Sequence, residues 1–352
     1  MRYQDKIKGF AIKSEPIIMG IETSCDETAV AIIKNGREIL ADEIISSATE
    51  HVRFGGVVPE IASRMHTTAI LRATQNALQK ANLTLDDIDA FAVTQGSGLL
   101  GALLVGVSFA KSLAYAKGKP LVPVSHIRGH IAASYLADKT LKPPFVTILA
   151  SGGHTAVIGV KDYYDFEVFG STIDDAVGEA FDKVARVIGL EYPGGPNVEK
   201  LAKQGKNVVE LPKMLKNYQG NELDFSYSGL KTAVINYVHN KEAKGEEVNR
   251  ADVACSFQCS AIDVLVEKAL KVIDKTGYKT LTISGGVAAN GYLRESLQKA
   301  VENRDIKLVL PEKRYCTDNA SMIGAEGYLQ YIKGNFVDID LDAKAVISLQ
   351  KN

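Results

Sequence analysis

Two histidines four residues apart, His126 and His130, lie in Val124-Ser125-His126-Ile127-Arg128-Gly129-His130, where an apolar strand gives way to a helix. Side chains four apart on a helix return to one face about one turn higher, so both imidazoles can reach one cation. Two ligands do not make a metal site, and the pair alone reads more readily as ordinary helix-surface or hydrogen-bonded histidines. His51 and His66 have no partner at metal spacing and read as structural. Three carboxylates, Glu22, Asp26 and Glu27, crowd a polar turn that can hold a phosphate-bound cation or simply close a hairpin. Asp175, Glu179 and Asp182 fall on one helical face, where like charges repel. Such a stripe suits either a solvated surface or a cleft for hydroxyl groups or a cation.

These residues sit at the ends of elements that recur. Ile17 to Ile33 reads as two strands around the polar turn, and Ile39 to Ile45 as a third. Pro59 opens a helix running to about Lys80. Ile88 to Thr94 is a strand entering Gln95-Gly96-Ser97-Gly98 and a long helix, the arrangement in which backbone amides approach a phosphate. Leu121 to Ser125 then delivers His126.

The order begins again at Phe145 to Ala150 and Ala156 to Val160, flanking Ser151-Gly152-Gly153-His154-Thr155. Thr280 to Ser284 enters Gly285-Gly286-Val287-Ala288-Ala289-Asn290, and Lys307 to Leu310 leads to Asp318 and a last helix. The recurrence predicts an α/β fold from a duplicated unit. We expect a polar leader over residues 1–16, a first lobe over 17–140, and a second over 141–318 with an insertion at about 163–250. Residues 319–352 form a C-terminal helix and tail returning towards the first lobe. In open α/β sheets ligands sit beyond the carboxyl ends of the strands. Pseudo-symmetry of facing halves would then bring Asp318 to His126 and His130 in the interlobe cleft. Two imidazoles and a carboxylate leave open positions on iron or zinc.

With 41 basic and 42 acidic residues, the chain has no global attraction to nucleic acid or anionic membrane, so a polyanion must be held by a local patch or through another protein. The longest apolar or small run, Leu99 to Val107, is half a membrane span, and the leader lacks the apolar core of a signal peptide. A cytoplasmic protein without membrane attachment is expected. Cys25, Cys255, Cys259 and Cys316 read as free thiols, Cys255 and Cys259 forming a helix face.

The runs GIETSCDET, FGGVVPEIASR, HIRGH, SGGHT, TIDDAVGEAFDK, YPGGP, FSYSGLKTA, SGGVAAN and CTDN resemble the TsaD family, the tRNA N6-adenosine threonylcarbamoyltransferases, from about Gly20 to Asn319. The resemblance implies the two-lobed ASKHA fold of the actin-like ATPase superfamily. It also implies transfer of a threonylcarbamoyl group from threonylcarbamoyl-AMP to N6 of adenosine 37 in tRNAs reading ANN codons, with release of AMP.

By matching motifs, His126, His130 and Asp318 hold one Fe2+ or Zn2+, with Mg2+ a further cofactor alongside nucleotide. Ala150, Ser151, Gly152, Gly153, His154, Asp182, Gly195 and Asn290 line the adenylate site, with Glu199 placed there by its distance from the YPGGP turn. Glu22, Asp26 and Glu27 are the candidates to orient the site or take the N6 proton. Bacterial forms imply two partners, a smaller inactive paralogue and a small P-loop ATPase. Two rivals remain: a small-molecule kinase of the same superfold, and a metallopeptidase, which lacks its base because Ile127 follows the first histidine.

Overall fold

The structure, a computed structural model, describes residues 2–215 and 218–349; Met1 of the leader, Lys216 and Asn217 of the expected insertion, and residues 350–352 of the tail lie outside them. The chain forms two units, Met1–Leu141 with Asp318–Asn352, and Lys142–Thr317.

The first unit runs α1 (Tyr3–Ile7), β1 (Ile17–Glu22), β2 (Glu27–Lys34), β3 (Glu38–Ser46), α2 (Ala48–Val52), α3 (Pro59–Ala81), β4 (Ala90–Gly96), α4 (Leu100–Lys117), β5 (Leu121–Ser125) and α5 (His126–Ala137). The second runs β6 (Phe145–Ala150), β7 (Thr155–Asp162), β8 (Asp165–Ser171), α6 (Val177–Val187), α7 (Gly194–Ala202), α8 (Ser228–Ala243), α9 (Arg250–Thr276), β9 (Thr280–Ser284), α10 (Gly291–Val301) and β10 (Lys307–Val309). Then α11 (Ala320–Ile332) rejoins the first unit.

The sheets have one topology, β3-β2-β1-β4-β5 in the first unit and β8-β7-β6-β9-β10 in the second. In each, the first three strands are antiparallel and the remaining pairs parallel. β8 is the counterpart of β3, so the inserted segment starts after Ser171 rather than near residue 163. Its alternation of buried and exposed residues is that of an edge strand, a weaker sequence signal than a continuous apolar run.

α4 is 18 residues long with a mean hydropathy of 1.2, enough by length and composition alone to cross a membrane. Here Ala102, Leu103, Gly106, Val107, Ala110 and Ala114 bury one face against the first unit. In α1, Tyr3 is buried and its hydroxyl donates to Lys119 O at 2.7 Å, tying the leader to the core.

Small residues decide how α11 docks. Gly20 on β1 pairs in register with Ala31 and Ala92. A Cβ on Gly20 would lie 2.3 Å from Ala320 O and 2.6 Å from Gly324 N. One on Gly327 would meet the Ala92 Cβ at 2.3 Å, and one on Gly129 of α5 would meet Ile323 Cδ1 at 2.8 Å. The helix therefore lies directly against the strand backbone, at a separation no larger side chain permits.

Candidate metal centre and ligand loops

β1, β4 and β5 are parallel, so Glu22, Gly96 and Ser125 end at one edge of the first sheet. α5 starts at the residue after β5, which puts His126 at that edge and His130 one turn along. The rings meet edge-on with centroids 4.6 Å apart. Asp318 stands just before α11, whose first turn is capped by the Asn319 side chain accepting from Met322 N at 2.9 Å. Because α11 seats on Gly20, Asp318 reaches both histidines, its Oδ1 lying 3.4 Å from His126 Nε2 and 3.2 Å from His130 Nε2.

All three donors thus belong to the first unit, and the expectation that the second half contributes the carboxylate gives way. The reason is the glycine seat, which carries the last helix back to the first sheet.

The donors fit a metal. One ligand atom from each lies within 4.8 Å of the others. Two donors about 2.1 Å from one ion sit roughly 3.0 to 3.4 Å apart in octahedral or tetrahedral geometry. Both nitrogens of the buried His130 ring lack a hydrogen-bond partner among the described residues, although Asp318 is close by. A buried polar atom in that condition normally costs stability unless something else binds it.

Burial opposes charge on His126, but Asp318 and Glu22 outweigh it and raise the imidazole well above its ordinary value. Burial, then the neighbouring His126, lowers His130. Burial would raise Asp318, yet His126 and His130 hold its carboxyl below the usual range. The carboxylates of Asp318 and Glu22 thus make the surroundings of the two rings favourable to positive charge.

Glu22 is fully buried and already occupied. One oxygen accepts from Ser24 N; the other accepts from Thr94 Oγ1 at 2.7 Å and lies 3.1 Å from His126 Nδ1. These contacts fit the first of its two expected roles, orienting the site: Glu22 fixes the His126 ring with Nε2 on the side of Asp318. Ser24 Oγ shares the Nδ1 contact at 3.1 Å. Neither Ser24 nor Thr94 was singled out from sequence, although Ser24 lies inside the GIETSCDET run.

Asp26 is mostly buried, and Glu27 accepts from Ser46 Oγ at 3.1 Å. Burial, then the adjacent Asp26, pushes Glu27 up to about 9. Burial beside Asp26 therefore favours the protonated form of Glu27, while the bond from Ser46 opposes it. Glu22→Gln is expected to weaken metal binding by about 10- to 100-fold, measured by chelator competition, because the amide cannot replace a carboxylate on Nδ1–H.

In the second unit the expected ligand residues converge around glycines. Ser151 N donates to His154 O at 2.8 Å and His154 N to Ser151 Oγ at 3.1 Å, closing a turn that exposes Gly152 and Gly153. Gly178 in α6 and Gly285 pack on that turn and on the buried Ala150, where their Cβ atoms would come within 2.6 Å of Ser151 O and 2.4 Å of Ala150 O. Asp182 Oδ1 accepts from Gly194 N at 2.8 Å, which holds Gly195 at the start of α7. Glu199 Oε1 accepts from Gly291 N at 3.2 Å.

A Cβ on Gly152, Gly153, Gly195 or Gly286 would meet nothing within 4 Å. Packing therefore does not require glycine at these positions, which is the condition expected where backbone must approach a ligand. At Asn290 the side-chain oxygen caps α10 through Leu293 N at 3.0 Å and the amide donates to Gln258 Oε1 at 2.9 Å. Its side chain thus shapes the turn, using one N–H and one lone pair of the amide.

The acidic stripe is neutralised. Asp175 precedes α6 and contacts Lys231 at 2.6 Å and Lys183 at 3.1 Å, while Glu179 contacts Lys183 at 2.8 Å. The Gln95–Gly98 loop is covered too, with Gly98 N donating to Ala345 O at 3.1 Å, so its amides are not offered to phosphate. All four cysteines are free thiols, and Cys259 is buried.

The profile of TsaD, described as tRNA N6-adenosine threonylcarbamoyltransferase, matches residues 38–325. The chain belongs to the TsaD family. One TsaD relative, the tRNA N6-adenosine threonylcarbamoyltransferase of Clostridium botulinum (strain 657 / Type Ba4), is 52% identical over 327 residues, covering 93% of this chain and 96% of the relative. The enzyme of that name from Clostridium perfringens (strain SM101 / Type A) is 51% identical over 337 residues, covering 96% of this chain and 99% of the relative.

Among solved structures, T.kodakarensis HypF matches with a TM-score of 0.61 at 17% identity, over 94% of this chain and 50% of that one. Component A of the Acidaminococcus fermentans (R)-2-hydroxyglutaryl-CoA dehydratase matches with a TM-score of 0.53 at 15% identity, over 90% and 99%. These two show a likeness of fold alone to this chain.

Proposed function

We propose that this chain transfers the threonylcarbamoyl group of threonylcarbamoyl-AMP to N6 of adenosine 37 in tRNAs that read ANN codons. The observation that carries the reading is the convergence of His126, His130 and Asp318 in a chain of the TsaD family. In the reaction the N6 lone pair attacks the carbamoyl carbon, the carbon–oxygen bond to phosphate breaks, and AMP leaves with the bonding electrons. One N6 proton is lost. The donor is already activated, so positioning and charge stabilisation can carry much of the acceleration.

His126, His130 and Asp318 would hold Fe2+ or Zn2+, with Glu22 and Ser24 fixing the His126 ring. Such an ion supplies Lewis-acid polarisation of phosphate or carbamate oxygens. The Ser151–His154 turn, Gly195 and Gly286 let backbone amides approach the adenylate, with Mg2+ accompanying the nucleotide. Asp182 and Glu199 hold those turns in place. Asp26 is the candidate proton acceptor, and protonated Glu27 a hydrogen-bond donor beside it.

The partners we propose are a smaller paralogue without the metal residues and a small P-loop ATPase, all acting in the cytoplasm. A metallopeptidase is disfavoured by Ile127, which stands where a zincin needs its glutamate. The histidine pair has no use in a magnesium-dependent kinase. Incubating the chain and both partners with threonylcarbamoyl-AMP and unmodified tRNA should yield the modified nucleoside on digestion and mass spectrometry. Failure to modify tRNA, together with ATP-dependent phosphorylation of a small metabolite, would favour the kinase reading.

A further inference from the structure

The C-terminal segment from Leu341 to Leu349 does more than end the chain. It lies along the Gln95–Gly98 loop, where Gln95 Nε2 donates to Asp342 O at 3.0 Å and Lys344 N to Gln95 O at 2.8 Å. Gly98 N donates to Ala345 O at 3.1 Å, and Ile347 N to Ser97 Oγ at 2.9 Å. The fit depends on Gly96, where a Cβ would sit 2.0 Å from Lys344 O. The loop in turn presses on Ser24: a Cβ on Gly98 would be 2.6 Å from Ser24 O, and Leu99 N donates to that oxygen at 2.8 Å. Ser24 Oγ lies 3.1 Å from His126 Nδ1.

A second route starts at Leu349, whose carbonyl accepts from Arg128 Nη2 at 3.4 Å. Arg128 is buried between the two histidines in sequence, and its Nη1 is 3.9 Å from Glu326 Oε1 on α11, the helix that Asp318 precedes.

We propose that the segment 341–349 is a clasp that positions the metal ligands, acting on His126 through Ser97, Gly98 and Ser24, and on the α5–α11 pair through Arg128. None of these residues touches the ion; they set the angle and separation of those that do, as outer-shell groups do around other metal sites. This rests on the metal reading above. Binding of Co2+ alone to the full chain reads it, by chelator competition for Kd and by the d–d absorption spectrum for ligand geometry.

A chain ending at Asp340 is expected to bind Co2+ at least about tenfold more weakly with a shifted spectrum, Ser97→Ala to change both in the same direction, and Ser97→Thr to restore them. A truncated chain with the parent circular dichroism, Kd and spectrum overturns the clasp. Should truncation prevent folding, a Ser97→Ala protein with parent Kd and spectrum overturns it. A full-length chain that binds no Co2+ sinks the metal reading and the clasp together, whereas parent binding with unchanged variants sinks the clasp alone.

Discussion

Replacing His130 with Ala is expected to lower metal affinity more than about a hundredfold, exceeding the loss typical of an outer-shell change. Threonylcarbamoyl transfer to tRNA falls with it, to background. Apart from the 3.2 Å contact of Nε2 with Asp318, the His130 nitrogens have no partner among the described residues, and the ring is almost fully buried. Removing it therefore costs little packing beyond the ring itself. Elemental analysis of purified protein and nucleoside mass spectrometry read the two losses separately, and the His126→Ala, His130→Ala double variant should behave no differently in activity. Full activity in a metal-free double variant would refute the centre. His126→Ala alone is a less clean test, since it also leaves Glu22 buried without its imidazole partner.

The second large effect concerns Gly20. Adding a Cβ there places carbon 2.3 Å from Ala320 O and 2.6 Å from Gly324 N, and both atoms are backbone that cannot rotate away. Either β1 or the first turn of α11 must move. Overpacking against backbone lies at the upper end of the usual range, so Gly20→Ala should cost about 3 kcal/mol or more. The melting temperature should fall by roughly 6 to 12 °C.

Metal affinity should drop as well, because the displaced turn carries Asn319 and, before it, Asp318. Gly101→Ala is the matched control. Its Cβ would rest 3.5 Å from Ser63 Oγ, an ordinary contact in an exposed helical position, so stability should be unchanged or higher by up to about 1 kcal/mol. Equal melting temperatures for Gly20→Ala and the parent would show that the helix is not seated as described.

Much of this was open to reading before any coordinate. Hydrophobic runs and their spacing announced a strand order that repeats, since period-two and period-3.6 patterns are local properties of the chain. Helical spacing put His126 and His130 on one face, and the motif runs named Asp318 as the third donor.

What spacing cannot carry is which distant groups a side chain meets. Glu22 stood as a candidate to orient the site or to take a proton, and only the fold shows its three hydrogen-bonding neighbours, among them His126. Asn290, expected at the ligand, also caps a helix; the Gln95–Gly98 loop looked open to phosphate and is filled by the protein's own tail. The acidic stripe met Lys183 and Lys231, one of them 56 residues from Asp175.

The sequence by itself determined the repeated α/β architecture, which is written in local period, while its motif runs put forward the three candidate metal donors. Only the tertiary structure decided that Asp318 joins its histidines within one unit. That outcome depends on a contact between Gly20 and a helix some 300 residues later, where the absence of a single carbon lets two backbones touch.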